Sequence, residues 1–184
     1  VSEEPSLPEF DDLAEKVRLR VAKDLRWIMS DEFVKELNTA TGPVAVYSLM
    51  ERKGKALRGQ RAARFLLHIG FPMLVPDRPR RRWMHRFGFL KDAKDTKQNR
   101  LQAIRVMEEF SREVGASLSE IDLFVGLFTG MGTGEARTAG FCLAKPECAE
   151  CPLRSRCQYA RFLEHHGHSP EDGNSNRTLS ETFL

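Results

Sequence analysis

Along most of the chain the apolar positions recur at helical intervals, not at the alternation of a strand. Leu13, Val17, Val21, Leu25 and Ile28 are spaced four, four, four and three apart, predicting a helix from about Pro8 to Met29. Ser30 and Asp31 offer N-caps for a short helix over Glu32–Leu37, closed by Thr41-Gly42-Pro43. Another helix is expected over Val44–Arg52, and the polar KGKALRG segment reads as a turn. From Gln60 to Ile69, Ala62, Phe65, Leu66 and Ile69 share one face while Arg61, Arg64 and His68 share the other. Gly70 stops that helix and Pro72 bars its continuation. FPMLVP is an extended apolar connector. Asp77 then stands as an N-cap, with Pro79 in the first turn of a helix reaching about Phe87.

Further on, Asp95-x-x-Gln98 and Ser117-x-x-Glu120 have the spacing of capping boxes ahead of apolar helical runs. The second run, IDLFVGLF, is apolar nearly all round, which predicts a buried helix. GMGTGEARTAG (130–140) follows no strand and matches no phosphate-binding fingerprint, so it reads as a loop. No internal repeat or alternating pattern appears. The expectation is an all-α protein, with 9–140 as a helical region, 141–162 as a separate loop, and disorder over 1–8 and 165–184.

Composition narrows the class. The 184 residues have room for one domain or two small lobes sharing a core. No run approaches the ~20 apolar residues of a membrane span, so no membrane partner is expected. The opening VSEEPSLPEFDD is acidic and Pro-rich, unlike a secretory signal, and an intracellular location is expected. The net charge of +3 conceals an uneven distribution. Between Arg52 and Arg105 there are 16 basic residues against Asp77, Asp92 and Asp95, which leaves the remainder at −10. A basic middle between acidic ends suits a polyanion, the plain alternative being a solvated basic face.

Four cysteines, Cys142, Cys148, Cys151 and Cys157, make up the whole complement and are spaced C-x5-C-x2-C-x5-C. In a reducing compartment disulfides are rare, so four clustered thiols read as one tetrathiolate site for iron–sulfur or a single Zn²⁺.

The stretch GQRAARFLLHIGFPMLVPDRPRRRWMHRFG and the cluster CLAKPECAECPLRSRC together resemble the helix-hairpin-helix DNA glycosylases of the endonuclease III and adenine glycosylase type. In that family a helix leads to a Gly-x-Pro connector, an Asp opens the next helix, and an Arg follows five residues later. Gly70-Phe71-Pro72, Asp77 and Arg82 stand in that order. A cluster ending C-x2-C-x5-C follows near the C-terminus, matched by Cys148, Cys151 and Cys157. The resemblance covers about 59–90 and 118–162. It implies an abbreviated helical-barrel lobe, a small C-terminal lobe holding a [4Fe–4S] cluster, and double-stranded DNA as partner.

Three departures matter. The loop between the first two cysteines is one residue short, and Lys145 is its candidate for a DNA phosphate. The hairpin Leu-Pro-Gly-Val-Gly-x-Lys-x-Ala survives only as Leu57–Ala63, keeping Gly59 and placing Arg61 where bifunctional members carry a catalytic Lys. The front half is short, so the early barrel helices are reduced, absent or supplied by a partner protein.

The resemblance assigns Asp77 to catalysis. A carboxylate near the sugar stabilises an oxocarbenium-like cation and orients or deprotonates the attacking water. Its alternative role is that of an N-cap alone. A lyase step needs an amine for a Schiff base, which a guanidinium is not, so a monofunctional glycosylase is expected. Lys53 and Lys55 are the nearest amines. Arg61, Arg80 and Arg81 become expected phosphate contacts beside Gly59 and Lys145. The rival is a non-catalytic iron–sulfur or zinc module, derived from the same fold, that binds nucleic acid.

Overall fold

The computed structural model describes residues 8–130 and 140–167. It is all-α: α1 (Pro8–Ile28), α2 (Asp31–Thr39), α3 (Gly42–Lys53), α4 (Gln60–His68), α5 (Arg78–Arg86), α6 (Lys97–Val114), α7 (Leu118–Phe128) and α8 (Gln158–His166), with a 3₁₀ turn at Arg154–Arg156. No strand occurs among the described residues.

Helix starts follow side-chain chemistry. Ser30 caps α2 by accepting from the Phe33 N–H, and Asp77 caps α5 by accepting from the Arg80 N–H. Ser117 and Glu120 form the reciprocal capping box foreseen for α7. At α6 the cap lies one residue later than expected. Thr96 accepts from Asn99, because the Asp95 carboxylate turns instead to Arg100 and Arg81.

The core gathers Val46, Tyr47 and Met50 of α3, Leu66 of α4, Met84 of α5 and Ile104 and Met107 of α6. Each large apolar side chain sealed there contributes about 1.5–3 kcal/mol. The connector Met73-Leu74-Val75 runs through this core and delivers the chain to Asp77.

One expectation about faces fails, that of a fully buried α7. The predicted helix α1 forms, with Val17 and Leu25 of its stripe 44% and 46% exposed and Trp27 meeting Phe33 edge-on at 4.9 Å. In α7, Ile121 and Val125 are buried, but Leu123, Phe124 and Leu127 stay about half exposed, because the helix packs on α5 and α6 from one side. Helix α1 begins at Pro8 as the spacing predicts, whereas His165 and His166, expected in the disordered tail, close α8. The expected loop at 131–139 and the expected disorder over 1–7 and 168–184 lie outside the described residues.

Cys157, Tyr159 and Ala160 form a small second cluster with Phe87, Cys148 and Leu163, while Cys142 belongs to the main core. Phe87 packs against both and joins them.

Candidate functional site

Asp77 borders a pocket of about 620 Å³. Arg64 and His68 of α4 stand on one side and Asp122 and Leu123 of α7 on another, with Pro79 and Arg80 from the first turn of α5. The N-cap role and the pocket role coexist. One carboxylate oxygen of Asp77 accepts the Arg80 N–H at 3.1 Å, and the other lies 2.8 Å from Arg80 Nη1 and 3.9 Å from Arg64 Nη2.

Behind Asp77 lies a second carboxylate that sequence reasoning missed. Asp122 accepts the Val75 N–H at 2.8 Å, and its two oxygens lie 2.8 Å from Arg80 Nε and Nη2. Burial pushes the Asp122 carboxyl above the usual carboxylate range, with Arg80 pulling the other way. Its position inside the apolar run IDLFVGLF was the available signal, since a charge there needs a buried partner.

Arg80 and Arg81 are therefore not phosphate contacts. Their side chains are 7% and 3% exposed. Arg80 is held between Asp77 and Asp122, and Arg81 bonds the Pro76 and Ala93 carbonyls and pairs with Asp95. The dense Arg run that suggested a DNA face is half turned inward, because α5 buries Arg80, Arg81 and Arg86 alongside Trp83 and Met84.

The hairpin also differs from expectation. Gly59 ends its turn at φ +59°, ψ −137°, a conformation open to glycine, and its N–H donates to Glu51 Oε1. Just ahead of it, Lys55, Ala56 and Leu57 all donate their N–H groups to the Asp24 carboxylate at 2.7–3.0 Å. Gly54 admits no side chain, since a Cβ would sit 2.5 Å from the Leu57 carbonyl oxygen. The Gly59 amide is thus committed inside the protein, not offered to a phosphate. Arg100 completes this network, reaching Tyr47 Oη at 2.9 Å, Asp95 at 2.7 Å and Glu51 at 3.5 Å.

Exposed cations remain on the polar face of α4: Arg61 and Arg64, with His68 one turn on. Lys145 is exposed in the loop between Cys142 and Cys148. Lys53 pairs with Glu32 and Glu36 at 3.0 and 3.2 Å, which holds its ammonium protonated and unsuited to Schiff-base chemistry.

All four cysteines border one apolar cavity, with Arg86, Phe87, Trp83 and Tyr159 among its walls. Arg86, only 1% exposed, lies 3.3 Å from Cys142 Sγ, donates to the Leu143 and Ala144 carbonyls and stacks over Tyr159 at 4.7 Å. Nothing in the spacing of residues predicts that this Arg ties α5 to the cysteine loop. Burial pushes the thiols of Cys142, Cys148 and Cys157 upward. Among the described residues no group of three or more His, Cys, Asp or Glu converges to hold one metal ion. The donor set nevertheless suits a thiolate-bound group. A buried guanidinium adjoins it to balance negative charge, and the buried Trp83 indole N–H has no hydrogen-bond acceptor among the described residues.

No protein-family model, curated protein or solved structure matches this chain. No helix among the described residues is long and apolar enough to cross a membrane.

Proposed function

We propose that this protein is a monofunctional DNA glycosylase that binds double-stranded DNA and hydrolyses the N-glycosidic bond of a damaged or modified base. The observation that carries the reading is the position of Asp77, a carboxylate at a helix N-terminus opening onto a pocket of about 620 Å³. A base turned out of the duplex would enter there, as enzymes acting on bases require. Asp77 then stabilises positive charge on the sugar and orients a water, whose oxygen bonds to C1′ as the base departs with the glycosidic electron pair. Asp77 takes the water's proton and solvent protonates the released base. Arg61, Arg64 and Lys145 supply exposed positive charge for the phosphate backbone.

The four cysteines hold a [4Fe–4S] cluster in this reading. A [4Fe–4S] cluster would take one cysteine sulfur per iron and a single Zn²⁺ would take all four at about 2.3 Å, and the order of Cys148, Cys151 and Cys157 after the Asp77 segment favours the cluster by resemblance. Bound there, the group would tie the small lobe to α5, with Arg86 beside Cys142 to offset its charge. An intracellular setting keeps the thiols reduced.

A second reading, a non-catalytic nucleic-acid-binding relative with an iron–sulfur or zinc centre, draws support from the hairpin. Its amides are filled by Asp24 and Glu51, leaving fewer donors for DNA. Single-turnover assays on lesion-containing duplexes separate the two. The glycosylase reading expects abasic products that break only on added base or heat, and Asp77→Asn lowering base release by about 100-fold or more with DNA binding retained. Strand cleavage trapped by borohydride would point to an unassigned lysine instead. Base release undiminished in Asp77→Asn, or absent from every lesion duplex, favours the binding module.

A further inference from the structure

We propose that Asp122 is a positioning residue for the Asp77 carboxylate: by sharing Arg80, it keeps that guanidinium from cancelling the negative charge Asp77 turns toward the pocket. The inference rests on the glycosylase reading above and deepens it.

Arg80 is a bridge. Its Nη1 lies 2.8 Å from Asp77, while its Nε and Nη2 lie 2.8 Å from the two oxygens of Asp122. Asp77 alone with Arg80 would form a buried ion pair of zero net charge, and such a pair presents little field to a cationic sugar. With Asp122 present the array carries one net negative charge, and Asp77 is its member nearer solvent, at 14% exposure against 7% for the other two side chains. Charge placed in a dry site before the reaction acts strongly on a developing cation.

Asp122 is itself fixed. It accepts the Val75 N–H at 2.8 Å, and its backbone carbonyl accepts from Arg80 Nη2 at 3.3 Å. Val75 precedes Asp77 by two residues, so one carboxylate orients both the guanidinium beside Asp77 and the chain that carries it. The other charged groups toward Asp77 are Arg81 of α5, whose charge is shared with Asp95 at 3.3 Å, and two groups of α4. Arg64 is 3.9 Å away but 59% exposed and screened by water, and His68 lines the same pocket.

The test compares single-turnover base release, per folded molecule, in the parent protein, Asp122→Asn and the double variant Arg80→Gln/Asp122→Asn. Asp122→Asn should lower the rate about 100-fold, since Arg80 then neutralises Asp77. The double variant frees Asp77 again and should recover at least about tenfold of that loss. A purely structural Asp122 predicts no recovery, and that result overturns the proposal. Should Asp122→Asn fail to fold, the double variant carries the test alone, with a rate within about tenfold of the parent expected and a loss as deep as that of Asp77→Asn overturning it. Affinity for a duplex carrying a cationic pyrrolidine in place of the target sugar gives a readout independent of turnover. It should fall at least about tenfold in Asp122→Asn and recover in the double variant. If even the parent releases no base, the glycosylase reading fails and the binding comparison decides alone. An affinity unmoved by Asp122→Asn refutes the charge sharing.

Discussion

Asp24 and Asp77 are chemically identical side chains that both accept backbone N–H bonds, yet they do opposite things. Asp24, 2% exposed, gathers the amides of Lys55, Ala56 and Leu57. Asp77 accepts one amide and borders a pocket of about 620 Å³. A carboxylate saturated by amides in a sealed turn is a staple. One that keeps a face toward open volume can act on a ligand. The number of amides and the access of solvent separate the roles, and each can be probed by removing the charge.

The largest effect on stability should come from Asp24→Ala. Hydrogen bonds to a charged acceptor contribute about 1.5–3 kcal/mol each, and stranding buried donors adds to the loss. A destabilisation of about 4 kcal/mol is expected, read from the urea midpoint, with Asp24→Asn falling between parent and Ala. A change under about 1 kcal/mol in both variants would mean that water reaches those amides and that no staple exists.

Gly59→Ala comes next. Its added Cβ would meet the Arg100 guanidinium carbon at 3.6 Å, an ordinary contact, so the cost is that of the backbone at φ +59°. About 1–3 kcal/mol is expected from the same unfolding measurement. A neutral result would show that the turn relaxes and that the Gly59 amide is free to leave Glu51. It would then become available to a phosphate, bringing the hairpin closer to Asp77 in character.

For Asp77→Asn the expected stability change is within about 0.5 kcal/mol, because Asn caps a helix as well as Asp does. A loss of several kcal/mol would place Asp77 with Asp24 among the staples and weaken its claim to the pocket. The same duplex-binding experiments should show a steep salt dependence, with a log–log slope of about −0.9 per phosphate contact. Reversing the charges of Arg61 and Lys145 should lower that slope, and reversing Arg80 should unfold the pocket instead.

Local signals were legible where chemistry stays within a few residues. The Ser30 and Ser117 caps, the Asp77 cap and the stop at Gly70 each follow from neighbours along the chain. The four cysteines could be grouped because their spacing is short. Faces were harder. The stripe on α1 and the run in α7 are both apolar enough for a core, but nothing in their own sequence says which helix, if any, covers them. The Arg run of α5 misled for the same reason: a guanidinium reads as exposed until its carboxylates are found. Those of Asp122 and Asp95 lie on other elements, brought in by long-range packing. Asp24 and Lys55 are equally remote, which hid the staple.

A third carboxylate supplies the weak end of the comparison. Glu120 accepts the Ser117 N–H at 2.7 Å but stands in water at the start of α7, where the capping box holds its carboxyl below the usual range. A depressed folded-state value means that the stabilisation is complete above the unfolded value of about 4.3 and is lost as pH falls through the lowered one. The melting temperature of the parent should therefore exceed that of Glu120→Gln at neutral pH by a small margin. That margin should narrow as pH drops from about 5 toward 3, once Glu120 takes up a proton. Other carboxylates titrate in both proteins and drop out of the difference, Asp92 among them, its carboxyl held down by the Lys94 N–H and Asn99 despite the opposing push of partial burial. A margin that stays constant down to pH 3 would show that Glu120 acts through shape alone. It would also show that solvent has erased the charge effect that burial preserves at Asp24.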